Sequence, residues 1–119
     1  MQYALLIYDR EEDWKNLTEA DRNAMFAEYG TFTREIRETG AYRAGEPLQP
    51  SRTATSVRVR EGRVLSTDGP YAETREQLGG FYVVEAANLD EAVAMAARIP
   101  SARIGTVEVR PLQMMTMPG

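Results

Sequence analysis

The sequence predicts an α+β domain of the ferredoxin-like βαββαβ class, elaborated by one additional β-hairpin. The apolar segments follow the order strand, helix, strands, helix, strand, which is the order of that fold. The segments 2–8 and 80–85 are apolar on both faces, as the two central strands of such a sheet should be. A length of 119 residues leaves little room for a second domain, so residues 1–119 are expected to form one.

The first third of the chain predicts one strand and one long helix. A charged stretch without a regular pattern, 9–17, follows the first strand. Thr18 is a suitable helix N-cap and Gly40 a suitable terminator, which together predict a helix over 18–39. Gly30 interrupts this helix at a cost of about 1 kcal/mol. The apolar face of the helix consists of Met25, Tyr29, Phe32 and Ile36.

The middle of the chain predicts the additional hairpin. Residues 41–51 contain glycine and proline and form an edge strand or a loop. A turn at Glu61-Gly62 joins a strand at 53–60 to a returning strand at 63–66. The first of these strands alternates in polarity and is expected to be half-exposed, with one side formed by Thr53, Thr55, Val57 and Val59.

The last third predicts a central strand, a helix and an edge strand. Asn88 is a suitable N-cap, Glu91 completes a capping box, and Pro100 follows the end of the helix. A final strand is expected at 106–110, and a mobile tail at 112–119. The buried face of the helix is expected to consist of Leu89, Ala92, Val93, Ala96 and Ile99.

Two helices can cover only one face of the predicted sheet. The other face of the central strands would then expose leucine, valine and tyrosine side chains, which a monomer avoids. A face-to-face homodimer, in which two sheets enclose one barrel-like core, removes this exposure. The sequence therefore predicts a dimeric α+β barrel.

The composition excludes several kinds of chemistry. The chain has no cysteine and no histidine, which excludes thiolate nucleophiles, Ser-His couples and the usual transition-metal ligands. The net charge of −4, from 14 basic and 18 acidic residues, is unlike that of a nucleic-acid-binding domain. No spaced set of carboxylates indicates a metal site, so neither a metal nor a cofactor is expected.

Nothing in the sequence indicates export or insertion into a membrane. The longest apolar runs, 3–8 and 92–97, are much shorter than the roughly 20 residues of a membrane-spanning helix. The N-terminal segment reaches Asp9 without a basic region, so no signal peptide is expected. A cytoplasmic location is expected.

Residues 67–81 have the sequence TDGPYAETREQLGGF. This run resembles the DGPF-type signature of the YCII-related domain family, with Tyr71 in the position of the phenylalanine. Four flanking segments extend the resemblance over nearly the whole chain: 2–8, 57–62, 89–92 and 107–111. The resemblance implies a dimeric α+β barrel of ferredoxin-like halves, with a cleft near the dimer interface.

The same resemblance bears on function. Some relatives are proposed to be enzymes that use a His–Asp pair, and only Asp68 has a counterpart here, because the chain lacks histidine. The family also occurs beside, or fused to, extracytoplasmic-function sigma factors. This association implies an accessory role in regulation and a functional link to a sigma factor.

Asp68 is the leading candidate for chemistry. A carboxylate on a turn at a strand end can act as a general base when it is partly desolvated; alternatively, its side chain only closes the turn. We hypothesise that the 67–73 loop closes one wall of the cleft and that Asp68 points into it. The further candidate ligand-binding residues are Tyr8, Tyr71 and Glu73, with packing or exposure to solvent as the alternative for each.

Two classes of function remain open. The first is a small-ligand-binding or regulatory accessory protein, which the absence of histidine favours. The second is a cofactor-independent enzyme that performs proton transfer or hydrolysis on a small molecule, with Asp68 as acid or base. Gene neighbourhood would separate them, because an adjacent sigma-factor gene favours the first class and a catabolic operon the second.

Overall fold

Apart from one additional short helix at 11–15, the elements follow the predicted order of strand, helix, strands, helix and strand. A computed structural model describes residues 1–115. Short 3-10 turns lie at Ser51–Thr53 and Pro100–Arg103. The longer elements are β1 Gln2–Asp9, α1 Glu11–Lys15, α2 Glu19–Glu38, β2 Tyr42–Pro47, β3 Thr55–Arg60, β4 Arg63–Asp68, β5 Gln77–Glu85, α3 Leu89–Ala97 and β6 Thr106–Pro111.

The main sheet has the strand order β2-β5-β1-β6, and all its pairs are antiparallel. This order places β1 and β5 at the centre, as their apolar faces predict. β3 and β4 form a separate two-stranded sheet. The α+β class, the two central strands and the additional hairpin are therefore confirmed, and the main sheet is not closed into a barrel within one protomer.

The hydrophobic core lies on one face of the main sheet. Side chains of β1 alternate strictly between the two faces, so that Tyr3, Leu5 and Ile7 are buried under the helices. On the same face, β5 adds Tyr82 and Val84. The helices cover this face with Phe32, Ile36, Ala92, Met95 and Ala96.

Both predicted helix caps are confirmed. The Thr18 side chain accepts a hydrogen bond from the Asp21 N–H at 3.1 Å, and the Asn88 side chain accepts one from the Glu91 N–H at 2.9 Å. These bonds satisfy N–H groups that have no partner within the first turn of a helix.

Two expectations about the helical segments are wrong. The stretch 9–17 contains α1, whose acidic first turn and terminal Lys15 complement the helix dipole. In α3, Leu89 and Val93 are about half exposed, and Met95 is buried in their place. The helix is rotated so that its small residues approach the sheet, which the identity of the apolar residues alone does not specify.

Among residues 1–115, no helix covers the opposite face of the central strands, which we call the open face. The side chains on it are half-buried or exposed, so the uncovered apolar face that the sequence predicts is present. Neighbouring strands pair apolar residues across this face: Ala4 with Val83, Leu6 with Phe81, and Tyr8 with Leu78.

The β3–β4 hairpin stands apart from the main sheet. Its turn has positive φ at both Glu61 (51°) and Gly62 (74°), the combination of a type I′ hairpin turn. Val57, Val59 and Val64 are 61%, 58% and 72% exposed. The expectation of a half-exposed strand is therefore wrong for this protomer, because no apolar layer of the described chain lies on that side.

The chain after β6 continues along the sheet for one residue. The Leu112 N–H donates a hydrogen bond to the Gln2 carbonyl oxygen at 2.9 Å. Residues 113–115 have no regular structure, and 116–119, the rest of the tail predicted to be mobile, lie outside the described residues. No helix in the described part of the chain combines the length and the apolarity that crossing a membrane requires.

Candidate functional site

A cavity of about 950 Å³ lies between α2 and the sheet, beside the end of β1. Its lining comes from the end of β1, α1, α2, β2, the 47–52 segment and the bulged start of β5. This volume is in the range of small-molecule sites. The aromatic residues that line the cavity are Trp14, Phe26, Tyr29, Tyr42, Phe81 and Tyr82.

Asp9 is the buried carboxylate of this cavity. It is only 6% exposed, because the alternation that buries Leu5 and Ile7 also turns Asp9 inward. The indole N–H of Trp14 donates a hydrogen bond to Asp9 Oδ2 at 2.8 Å. Burial raises the pKa of Asp9, and hydrogen bonds from Trp14 and Ser101 offset part of that rise. A carboxyl group in this environment can transfer a proton to or from a ligand, or form a hydrogen bond with it.

Two pairs of hydroxyl groups lie along the cavity, and the pair formed by Tyr29 and Ser101 is the one near Asp9. Tyr29 Oη and Ser101 Oγ are 2.5 Å apart, and Thr33 Oγ1 and Tyr82 Oη are 2.7 Å apart. Burial raises the pKa of both tyrosines, so both phenols stay neutral near pH 7. Tyr29, Thr33 and Tyr82 line the cavity and can form hydrogen bonds to a bound molecule.

Glycines give the cavity its width. Gly30 lies in the middle of α2, and a Cβ atom added there would meet nothing within 4 Å. A Cβ on Gly79 would lie 3.4 Å from Asp9 Oδ1, and one on Gly80 would lie 3.1 Å from the Glu46 carbonyl oxygen. The interruption of the helix at Gly30 that the sequence shows therefore faces the cavity.

Four basic residues line the cavity, and their exposure to solvent places them at its mouth. Arg34 and Arg37 come from α2, Arg52 from the turn at 51–53, and Lys15 from α1. Within residues 1–115, none of the four lies within 4.0 Å of a carboxylate oxygen. The Arg37 guanidinium lies 4.2 Å from the centroid of the Tyr42 ring, a cation–π contact that holds this charge in place.

The four residues proposed from the sequence do not line this cavity. Asp68 is the exposed last residue of β4. Tyr71 is 79% exposed, and Glu73 is exposed on the segment that follows. Tyr8 points to the open face. A cleft that all four share near a dimer interface stays a prediction.

Sequence reasoning missed Asp9, although its signal is present in the sequence. The odd-numbered residues of the first strand are the ones that face the core, and Asp9 is the next odd-numbered position. A carboxylate that continues the buried side of a central strand is unusual. That alternation, followed one residue beyond the apolar run, would have identified it.

The polar groups of the cavity are arranged for hydrogen bonding and charge recognition. Within residues 1–115, no three aspartate, glutamate, histidine or cysteine side chains gather as a ligand set for a metal ion.

Comparison with known proteins gives matches over almost the whole chain. The family model described as "YCII-related domain" matches residues 1–116. An uncharacterized protein of Rhizobium meliloti (strain 1021) is 34% identical over 116 residues, which cover 96% of this chain and 94% of the relative.

Proposed function

The chain belongs to the YCII-related domain family, and from this premise we propose that it is a small-ligand-binding protein whose site is the cavity beside α2. The family description and the uncharacterized relative name no ligand, so the proposal depends on the geometry of the cavity. A large volume, aromatic walls and a few converging polar groups are the usual combination in a small-molecule site.

The observation that carries the proposal is the burial of Asp9 without an ion-pair partner. Within residues 1–115, no basic nitrogen lies within 4.0 Å of its carboxylate. A buried carboxylate in this state lowers the stability of the fold, and perturbed carboxyl groups cluster at functional sites. A ligand that donates a hydrogen bond to Asp9 would stabilise the folded protein.

Thermal-shift screening against a metabolite library tests this proposal. We expect at least one compound to raise the Tm and to change the fluorescence of Trp14, which is the single tryptophan of the chain. The matched control is Gly30→Leu, which places a side chain in the cavity and also favours the helix. If every active compound stabilises the wild type and this variant equally, the compounds bind elsewhere and the proposal fails.

We also propose that two copies pair through the open face. One protomer measures 47 × 47 × 19 Å with a radius of gyration of 16.6 Å, whereas a compact chain of about 100 residues has about 13 Å. The short dimension holds one sheet and one helix layer. A second sheet over the open face would bury its apolar side chains and complete the dimeric α+β barrel. A monomer mass from small-angle scattering at micromolar concentration would contradict this pairing.

A regulatory form of the function would couple ligand binding to a protein partner. The association that the family resemblance implies makes a sigma factor the partner to test. Copurification with a neighbouring sigma factor, changed by a compound from the thermal-shift screen, would support this form. Equal copurification with and without the compound would contradict it.

A cofactor-independent enzyme is the second candidate function, and the raised pKa of Asp9 favours it. A carboxyl group with a raised pKa is suited to general acid–base catalysis of proton transfer or hydrolysis. Asp68 is the alternative acid or base, in a site near the dimer interface. Turnover that is lost in Asp9→Asn and kept in Asp68→Asn would assign the chemistry to the cavity, and the reverse would assign it to the interface.

A further inference from the structure

We infer that the ligand of the cavity is an amphipathic organic anion, with a flat apolar body between the aromatic walls and an acidic group at the mouth beside Arg34, Arg37 and Arg52. This inference rests on the proposed function and adds the chemical class of the ligand. A carboxylate, sulfonate or phosphate would fit, because each presents oxygen atoms in the geometry that guanidinium groups bind.

The residues that line the cavity include more basic than acidic side chains, whereas the whole chain has more acidic than basic ones. Four basic and three acidic residues line the cavity, whereas the whole chain has 14 basic and 18 acidic residues. Within residues 1–115, neither Glu11 nor Glu46 forms an ion pair with the basic residues that line the cavity. Glu11 Oε1 accepts a hydrogen bond from the Ser51 N–H at 2.6 Å, and Glu46 pairs with Phe81, which turns its side chain to the open face. The third, Asp9, lies at the closed end.

Two of the three arginines at the mouth come from parts of the structure with a defined contact: Arg37 through its guanidinium group and Arg52 through the backbone of its turn. Arg34 and Arg37 are three residues apart and therefore share one face of α2. The Tyr42 ring fixes the guanidinium of Arg37. The turn that contains Arg52 is fastened to α1 by the hydrogen bond between Glu11 and Ser51. Because these cations have no carboxylate partner within residues 1–115, an anion would not have to displace one.

The aromatic walls define the rest of the ligand. The rings of Trp14 and Phe26 stack with centroids 5.8 Å apart and an interplanar angle of 26°. Phe26 is 57% exposed, which places apolar surface at the mouth beside the cations. At the closed end, Asp9 and the Tyr29 hydroxyl group can bind a polar group on the ligand body. These contacts favour a molecule with a ring system between two polar ends.

Two fluorescent probes that share one aromatic framework test the inference. 8-Anilinonaphthalene-1-sulfonate is an anion, and N-phenyl-1-naphthylamine lacks the sulfonate. We expect the double variant Arg34→Gln/Arg37→Gln to lower the affinity for the anionic probe by about tenfold. Its affinity for the neutral probe should fall by less than about twofold. The charge-matched control is Arg60→Gln/Arg63→Gln at the hairpin turn, outside the cavity, which should change neither affinity by more than about twofold.

The outcomes separate the class of ligand from the existence of the site. If the double variant loses affinity equally for the two probes, or keeps its affinity for the anionic probe, the ligand is not an anion. The cavity would then still stand as a binding site. Gly30→Leu should weaken both probes by about tenfold, because it occupies the space that they require. If this variant binds both probes as the wild type does, the probes lie outside the cavity, and the proposed function fails together with the inference.

Discussion

The indole N–H of Trp14 donates a 2.8 Å hydrogen bond to Oδ2 of Asp9. This bond connects helix α1 to the last residue of the central strand β1. Since Trp14 is the single tryptophan of the chain, its fluorescence, excited selectively over that of the tyrosines, should respond to changes at Asp9. The candidate site can therefore be observed without any label.

Asp9→Asn should stabilise the protein, and most strongly near neutral pH. Because burial raises the pKa of Asp9 in the folded state above its ordinary value of 3.8, the wild type loses stability as the pH rises from that value through the raised pKa. Asparagine keeps an oxygen for the Trp14 N–H and has no charge to bury. The Tm of the variant minus that of the wild type should be largest near pH 7 and should shrink towards pH 4. A difference that is constant over this range would contradict the raised pKa.

Trp14→Phe should lower the free energy of unfolding by about 1.5–3 kcal/mol near neutral pH, because a buried carboxylate loses its donor. The loss should be smaller in acid, where Asp9 is protonated. Urea unfolding near neutral pH and in acid measures this loss of stability. The double variant with Asp9→Asn provides the control, since effects that simply add would show that the two side chains do not interact.

Gly30→Ala should raise the free energy of unfolding by about 0.5–1 kcal/mol, because alanine favours a helix and its Cβ has open space here. The matched substitution Gly105→Ala should lower it by about 1–3 kcal/mol. Its Cβ would collide with the Tyr8 carbonyl oxygen and lie 2.9 Å from Asp9 Cβ. Chemical denaturation compares the two variants. Destabilisation by Gly30→Ala would show that the space beside α2 is occupied.

Asp68→Asn should leave the Tm and the oligomeric state nearly unchanged, because Asp68 is exposed and asparagine can close the same turn. We expect this variant to keep affinity for compounds that bind in the cavity, measured by Trp14 fluorescence. Loss of that affinity, with an unchanged Tm, would instead support the predicted site near the dimer interface.

We expect the proposed dimer to cover the exposed valines of the hairpin as well as the open face. Replacing Val57, Val59 and Val64 together by threonine should then weaken the dimer by about tenfold or more. Burial of one valine contributes about 1.5 kcal/mol or more, and about 1.4 kcal/mol is a factor of ten. Threonine is also β-branched and keeps the hairpin's preference for a strand. Sedimentation velocity over a concentration series measures the dissociation constant. An unchanged constant would place the hairpin outside the dimer interface.

The features predicted correctly from the sequence are those that neighbouring residues determine. Thr18 and Asn88 cap their helices with groups three residues away, and alternation within β1 alone assigns its two faces. The rotation of α3 could not be predicted, because both Leu89 and Met95 are apolar and only the shape of the sheet surface selects between them.

The cavity could not be predicted because it depends on distant segments. It combines the end of β1, the middle of α2 and the 47–52 segment, and neither Asp9 nor Gly30 shows by itself that the other lies nearby. Turn chemistry predicts a change of chain direction at Asp68-Gly69, where Gly69 has a positive φ of 104°. The same chemistry does not specify that the hairpin stands apart from the main sheet.

The double pairing of β1 has a consequence for how the cavity responds to ligands of different size. β1 has hydrogen-bonded neighbours on both sides, so its amide protons should exchange with solvent only when the whole sheet opens. The exposed 47–52 segment is anchored at two amides, because the Leu48 N–H donates to the Gly79 carbonyl oxygen and the Ser51 N–H to Glu11 Oε1. A ligand would therefore meet Asp9 at a fixed position and this segment at two anchored points, so the cavity should discriminate between ligands by their length.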